Sequence, residues 1–302
     1  MTTRAAGPGQ AGRAAARRVA VTGGSGKLGR VVVAELLAHG YRVVNLDRTP
    51  PAEPACPFVQ VDLADFGQAV GALTAVDSRH RRIDAVVHLA AVPAPGLTTN
   101  AVTFANNTDS TYNVFTAARV AGIGDIVWAS SETVLGLPFD TPPPYLPVDE
   151  QTPPRPESSY ALSKLLGETM AAQLCRQDPE LAITALRFSN VIDVEEYAAF
   201  PGFDADPRLR RWNLWSYIDA RDGAQAVRLA LERGAAGERG FETFIIANAD
   251  TVMSRPSAGL AAEQFPGVEI RKNLGEHETL QSIDKARALL GYSPAHSWRE
   301  HS

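Results

Sequence analysis

The chain has 302 residues, of which 45% are hydrophobic and 21% are charged, and its net charge at pH 7 is −5. These values are ordinary for a globular enzyme with one main domain, and the lack of a basic excess excludes a nucleic-acid-binding surface. No apolar run approaches the ~18 residues of a membrane span. The two cysteines suggest neither a disulfide framework nor a thiolate metal site. We therefore expect a cytoplasmic protein with no nucleic-acid, membrane or metal partner.

Seven apolar runs predict β-strands, and stretches with helical periodicity separate them. The strands are predicted at Val19–Val21, Arg42–Leu46, Phe58–Val61, Ala85–Leu89, Ile126–Ala129, Ile183–Phe188 and Phe244–Ala247. This alternation predicts an α/β fold with a Rossmann-type, doubly wound parallel sheet. We predict a disordered tail at 1–18 and a dinucleotide-binding domain at 19–189. Residues 190–302 are predicted to complete the sheet in part and to form a small substrate-binding part.

The first predicted strand leads into a glycine loop and a helix. The spacing of Gly23, Gly26 and Gly29 allows a tight turn, brings a pyrophosphate against bare backbone and packs the helix against its strand. The second strand is followed by Asp47, at the spacing where a carboxylate accepts hydrogen bonds from the adenosine ribose. These features predict a site for NAD. Arg48, the next residue, leaves NADP open as an alternative.

A tyrosine and a lysine lie four residues apart on a predicted helix. Tyr160 and Lys164 therefore share one helix face, and an upstream strand ends in Ser130 and Ser131. A phenol has a pKa near ~10, which must fall to about 7 if the group is to act as a base at neutral pH. An ammonium ~4 Å away supplies stabilisation of about that size. On its own the spacing also fits a solvated pair, but with the glycine loop it favours a catalytic set.

At this point the chain resembles the extended branch of the short-chain dehydrogenase/reductase family, the epimerase/dehydratase type that includes UDP-galactose 4-epimerase. The resemblance covers roughly residues 19–295. It rests on the segments Thr22–Gly29, Asp62-Leu63, His88–Ala91, Asn106-Asn107, Ser130-Ser131, Tyr160–Lys164 and Leu186–Asn190. By resemblance we expect a homodimer.

The resemblance implies a role for each catalytic candidate. Tyr160 is expected to be the acid/base, Lys164 its electrostatic partner and Ser131 the hydroxyl that orients substrate. Asn107 is expected to be a supporting polar residue of the catalytic set. Ser130 stays open as the alternative hydroxyl. Aligning the segment 133–136, Thr-Val-Leu-Gly, with the family's Thr-Val-Tyr-Gly favours Ser131.

The resemblance also implies the cofactor contacts. The acidic residue Asp62 is expected to reach the adenine, and Lys27 stands where the family usually has an aromatic residue, so it is either a pyrophosphate contact or a solvent-exposed lysine. The expected cofactor-binding residues are Gly23, Gly26, Lys27, Leu28, Gly29, Asp47, Arg48, Asp62, Leu63, Leu89, Ala90, Ala91, Tyr160 and Lys164.

The segment 208–217 gathers arginines and aromatic residues. Arginine forks suit phosphate or carboxylate, and aromatic faces suit sugar or base rings. A solvated basic turn with its tryptophans packed into the core is the open alternative. The expected substrate-binding residues are Ser131, Thr133, Asn190, Arg210, Arg211 and Trp215.

The family's dehydratases have Thr-Asp-Glu where this chain has Ser131-Glu132-Thr133, which disfavours dehydration. We predict an NAD-dependent oxidoreductase acting on a secondary alcohol of a sugar or nucleotide sugar, with epimerisation through a transient ketone preferred. The alternative is an NAD-dependent dehydrogenase of a free sugar or sugar acid. A non-catalytic NAD-binding regulator is the alternative of another class, although a sensor needs no tuned phenol.

Overall fold

The computed structural model describes residues 16–74 and 82–301. Most of the predicted tail, residues 1–15, lies outside this range. The last residues of that tail are not disordered, because Arg18 begins the first strand and the Arg17 guanidinium donates to the Asp125 carboxylate. The prediction therefore placed the end of the tail too late.

The strands are β1 (Arg18–Thr22), β2 (Arg42–Asp47), β3 (Phe58–Gln60), β4 (Ala85–His88), β5 (Asp125–Ser131), β6 (Tyr145–Leu146), β7 (Ala182–Phe188), β8 (Val191–Ile192), β9 (Ile218–Asp219), β10 (Gly240–Ile246) and β11 (Glu269–Ile270). The α-helices are α1 (Lys27–Ala38), α2 (Phe66–Leu73), α3 (Asn100–Val120), α4 (Ser159–Gln177), α5 (Arg208–Arg211), α6 (Ala220–Ala235), α7 (Ser257–Gln264) and α8 (Asp284–Leu290). Shorter 3-10 helices span Glu132–Leu135, Val194–Ala205 and Trp298–Glu300.

Seven parallel strands of the described chain form one sheet in the order β10-β7-β5-β4-β1-β2-β3. They correspond to the seven strands predicted from the sequence, so the predicted Rossmann-type α/β fold is confirmed. The strand order reverses beside β1, whose neighbours are β2 and β4. In such sheets a crevice opens at the carboxyl ends of the strands at this point, and ligands bind there.

Helices cover both faces of the sheet, which is why its strands are apolar throughout rather than alternating. Val19 and Val21 of β1 pack in one core cluster with α1, α6 and α8. Ala20, on the other face of the same strand, packs in a second cluster with α2, α3 and α4. The sheet is therefore a rigid platform for the loops at its carboxyl edge.

The chain after residue 189 has two locations. Strand β10 is the edge strand of the main sheet, and helix α6 packs on one face of that sheet. Much of the remainder forms a third apolar cluster with the proline-rich segment 138–156. Within that cluster β6 pairs with β11, so the proline-rich segment is packed rather than loose. In the described chain no helix is both long and apolar enough to span a membrane.

Candidate active site

A cavity of about 1100 Å³ lies at the carboxyl edge of the sheet, at the reversal of strand order. One end is lined by the glycine loop and the residues after β2. The other is lined by the end of β5, the start of α4 and the residues after β7. The cavity thus brings together residues that are far apart in sequence.

The glycine loop fits a dinucleotide closely. A Cβ atom on Gly23 would lie 2.7 Å from the Ala90 backbone nitrogen, and one on Gly29 would lie 2.0 Å from the Gly23 carbonyl oxygen. Gly26 is the N-cap of α1 and provides no side-chain cap, so the amide groups of the first turn are available to a phosphate. The residues present therefore fit the pyrophosphate of NAD, and Leu28 lines the same stretch of wall.

The adenosine end carries Asp47 and Arg48, which both line the cavity. Asp47 accepts hydrogen bonds at 3.1 Å from the amide groups of Ser25 and Thr49, which hold its carboxylate in place. Arg48 donates to Asp62, and this hydrogen bond lowers the pKa of Asp62. Asp62 does not line the cavity, whereas its neighbour Leu63 does, and the contact of Asp62 with adenine stays a prediction.

Lys27 is at the cavity wall, but its ammonium contacts protein groups. It donates to Glu196 at 2.6 Å and to the Val191 carbonyl at 3.4 Å. The next turn of α1 repeats the pattern, because the Arg30 guanidinium pairs with the Asp193 carboxylate. Two ion pairs therefore join the first turns of α1 to the segment after β8. Lys27 is thus an exposed lysine that also forms an ion pair, which agrees with the second alternative, and its contact with the pyrophosphate stays a prediction.

The residues after β4 form the floor between the two ends. Leu89, Ala90 and Ala91 line the cavity, as the resemblance implied. The Thr22 hydroxyl lies 2.7 Å from Nδ1 of His88 and accepts from the Leu89 amide at 3.2 Å. These bonds tie β1 to β4 directly under the cofactor end.

The catalytic pair lies on the first turns of α4, which the Ser158 side chain caps. Burial raises the pKa of Tyr160 to about 12, while a hydrogen bond with Ser131 lowers it. The Lys164 ammonium lies 5.7 Å from the Tyr160 ring centre and donates to the Ala129 carbonyl at 2.7 Å. Burial lowers the pKa of Lys164 to about 8. In the protein alone, burial and the charge of Glu132 outweigh the hydrogen bond with Ser131, so the pKa of Tyr160 lies above its usual value.

The two serines at the end of β5 point to different partners. Ser130 donates to Glu168 at 2.7 Å, and Glu168 also forms a buried, two-bonded ion pair with Arg187. Ser131 instead bonds Tyr160 and accepts from Thr133. The geometry therefore separates the two alternatives and favours Ser131 as the hydroxyl beside the phenol.

Asn107 is buried next to the cavity wall, and its expected role as a supporting polar residue of the catalytic set stays a prediction. Its side chain accepts from the Val92 amide at 2.8 Å and donates to the Val92 carbonyl at 3.0 Å. Val92 and Asn106 line the cavity. Asn107 therefore positions the loop after β4.

The expected substrate residues divide into two groups. Thr133 and Asn190 line the cavity, whereas Arg210, Arg211 and Trp215 do not. The reason is the turn that follows α5. Arg210 is buried and donates to the Ser216 carbonyl, Arg211 donates to the Phe139 carbonyl, and the fully buried Trp215 donates to the Pro207 carbonyl.

Among the residues of the substrate end that the sequence analysis missed are Glu132, Glu157, Ser189 and Trp212. Glu132 is buried, and burial raises its pKa to about 7, against hydrogen bonds that lower it. It follows the expected catalytic serine directly, and the comparison with dehydratase motifs had already singled out that triplet. The signal that could have found Glu132 is its position, because an acid next to the expected catalytic hydroxyl of Ser131 lies in the same cavity wall.

Residues 19–203 match the NAD dependent epimerase/dehydratase family. L-arabinose 1-dehydrogenase (NAD(P)(+)) of Haloferax volcanii is 31% identical over 245 residues, which are 78% of this chain and 91% of that enzyme. UDP-glucose 4-epimerase of Erwinia amylovora is 32% identical over 217 residues, 66% of this chain and 60% of that enzyme. A solved short-chain dehydrogenase/reductase superfamily protein of Agrobacterium tumefaciens with bound NAD is 25% identical, with a TM-score of 0.71 and 94% of each chain covered.

The chain belongs to the NAD dependent epimerase/dehydratase family. The predicted resemblance, the NAD cofactor and the prediction of an enzyme of this type are thereby confirmed. The match spans only 45% and 60% of the length of two UDP-glucose 4-epimerases.

We expect the protein to bind NADH at least about tenfold more tightly than NADPH, because the fixed Asp47 carboxylate accepts from ribose hydroxyls and repels a 2′-phosphate. Fluorescence titration of both reduced cofactors measures this ratio. Asp47→Ser should lower the preference for NADH over NADPH, because it should improve NADPH binding. Equal affinities in the wild-type protein would mean that Arg48 leaves Asp62 and faces the ribose.

Proposed function

We propose that the protein is an NAD-dependent dehydrogenase that oxidises a carbinol of an uncharged free sugar, the second of the two activities predicted from the sequence. The observation that carries the proposal is the charge of the substrate end. Among the described residues, its charged wall consists of two acids, Glu132 and Glu157, and the catalytic candidate Lys164, whose ammonium is bonded to the Ala129 carbonyl. A nucleotide sugar brings a diphosphate, which arginine or lysine normally neutralises.

The cations on the described wall are already engaged. Lys27 pairs with Glu196, Arg48 pairs with Asp62, and Lys164 donates to a backbone carbonyl beneath Tyr160. The arginines expected to clamp an anion are turned into the protein interior. In addition, the Haloferax sugar dehydrogenase matches over 91% of its length, more than the 60% of the Erwinia epimerase.

The side chains support a proton transfer at the sugar carbinol. Tyr160 takes the hydroxyl proton, Ser131 orients that oxygen, and Lys164 contributes positive charge near the phenol. Bound NAD supplies the hydride acceptor and a positive ring charge that favours the ionised phenol. Asn107 holds the loop at Val92, and Thr133 and Asn190 contact the sugar. In this proposal residues 19–189 bind the cofactor and parts of 190–302 face the substrate.

The test is an assay of the purified protein with NAD and a panel of neutral aldoses. We expect NADH to accumulate in proportion to the sugar oxidised, because a dehydrogenase releases its cofactor in every cycle. NAD that stays with the purified protein, together with interconversion of UDP-sugar epimers and no net NADH, would replace the proposal with the epimerase prediction. Epimerisation stays the second candidate because the Ser131–Gly136 segment matches the family's epimerases.

We also propose a homodimer that forms through α3 and α4, and a cytoplasmic location. The two helices pack side by side, and their outer faces carry Val102, Tyr112 and Leu162, which are 53%, 52% and 41% exposed. A second copy of the chain packed on these two helices would cover these apolar side chains. Light scattering after gel filtration should give the mass of two chains for the wild type and of one chain for Tyr112→Asp.

The proposed cytoplasmic location is supported by two free cysteines, Cys56 and Cys175.

A further inference from the structure

Glu132 is a buried acid in the wall of the substrate end. It begins the 3-10 helix that follows β5, and it is 3% exposed. Its neighbour in sequence is Ser131, which bonds Tyr160, and the charge of Glu132 raises the pKa of that phenol. A carboxylate at this position therefore acts directly on the reacting end of the cavity.

Three donors from separate segments hold this carboxylate. Oε2 accepts from the Ser189 hydroxyl at 2.9 Å and from the Gln281 amide, and Oε1 accepts from the Asn213 amide at 3.4 Å. The donors are neutral, and no lysine or arginine of the described chain forms an ion pair with it. A carboxylate has about four acceptor positions, and three are used here. The remaining position belongs to Oε1, whose one bond is long.

A buried carboxylate without an ion-pair partner is costly unless its surroundings have a use for it. Two further acceptors beside it, Oδ1 of Asn213 and Oε1 of Gln281, are buried without a hydrogen-bond partner. Around Glu132 there are thus three neutral donors that it already uses, these two unpartnered acceptors, and the buried Arg210 guanidinium, whose charge lowers the pKa of Glu132 and whose Nε has no hydrogen-bond partner. A ligand that brings hydroxyl donors suits such a site, and a ligand that brings negative charge does not.

We infer that Glu132 determines substrate specificity: it accepts a hydrogen bond from a hydroxyl of a neutral sugar and excludes sugars that carry a carboxylate or phosphate near that hydroxyl. This inference rests on the proposed function and deepens it by naming the substrate class. A wall carboxylate acts by differential affinity, because it favours one ligand and repels the other.

The experiment compares the specificity constants for a neutral aldose and its matching uronate, D-galactose and D-galacturonate, or D-glucose and D-glucuronate. Glu132→Gln keeps the shape and removes the charge. We expect the ratio of kcat/KM for aldose over uronate to fall at least about tenfold, partly through a higher KM for the aldose and partly through new activity on the uronate. The assay is run at roughly pH 8.5, where Glu132 is ionised in the wild type.

A second variant distinguishes the effect of the carboxylate charge from the effect of side-chain length. Glu132→Asp keeps the charge but withdraws it by one methylene group, so we expect a higher KM for the aldose and continued exclusion of the uronate. The matched control is Glu150→Gln, because Glu150 accepts from the Ile245 amide at 2.7 Å and does not line the cavity. Its ratio should stay within about twofold of the wild-type ratio. NADH affinity near the wild-type value in each variant checks that the cofactor end is folded.

The outcomes distinguish the two proposals. If the wild type oxidises the aldose and Glu132→Gln leaves the ratio unchanged, the inference is wrong and the dehydrogenase proposal stands. If the wild type oxidises no neutral aldose, the dehydrogenase proposal is wrong, and the inference that rests on it is withdrawn. Loss of selectivity in Glu132→Gln with retained selectivity in Glu132→Asp supports both.

Discussion

Tyr160→Phe is expected to lower kcat by about 10²- to 10⁴-fold and to leave NADH affinity nearly unchanged. The substitution removes only the phenolic oxygen, so the buried ring keeps its packing on α4 and its neighbour Lys164 keeps its bond to the Ala129 carbonyl. In our proposal the glycine loop and Asp47 hold the cofactor, and neither depends on this oxygen. Steady-state kinetics and NADH titration on the same preparation measure the two effects.

The matched control is Tyr292→Phe, which removes another buried phenolic oxygen. Tyr292 donates to the Ala247 carbonyl at 3.0 Å and lies outside the cavity wall. It should lose about 1 kcal/mol of stability and keep its turnover. If the turnover of Tyr160→Phe lies within about tenfold of the wild-type turnover, Tyr160 does not take part in the proton transfer.

Gly29→Ala is expected to weaken NADH binding by at least about 100-fold, a larger effect than that of any other single methyl group added at the glycine loop. The new Cβ would lie 2.0 Å from the Gly23 carbonyl oxygen and 2.7 Å from the Gly24 Cα. Both are backbone atoms, so no side-chain rotation relieves the overlap. The loop must move, and the amide groups that receive the pyrophosphate move with it.

Gly259→Ala provides the control for the added methyl group. Gly259 lies in α7, and a Cβ there would meet no atom within 4 Å. An alanine in a helix should leave NADH affinity unchanged and raise stability by up to ~1 kcal/mol. If Gly29→Ala binds NADH within about threefold of the wild type, the loop does not receive the pyrophosphate in the way proposed.

The main sheet could be predicted from the sequence because its strands are buried on both faces. A run such as Ala85–His88 is fully buried, so its apolar character appears directly in the residues. The two-residue strands β6, β8, β9 and β11 could not be predicted. Their pairing depends on distant segments, such as the contact of β6 with β11, and two residues carry no periodicity.

The cofactor end could be predicted more fully than the substrate end for a similar reason. A phosphate-binding loop requires glycines at fixed spacing, so the requirement is visible locally. The local sequence does not show in which direction the side chains of a turn point. Leu214 and Trp215 both have left-handed backbone angles, with φ of 57° and 56°, and the turn they form carries the tryptophan into the core. Composition alone predicted aromatic and cationic contacts at this segment.

The ion pairs that Lys27 and Arg30 form with Glu196 and Asp193 have a consequence for cofactor exchange. Three of the four side chains are 42% to 54% exposed, so each pair contributes only about 0–1 kcal/mol and weakens further with salt. Two ion pairs of this strength hold the segment after β8 only weakly against the first turns of α1. In the proposed dehydrogenase the reduced cofactor leaves in every cycle, and ion pairs this weak let the segment after β8 separate from α1 at that step. Ionic strength should then regulate how fast the spent cofactor leaves.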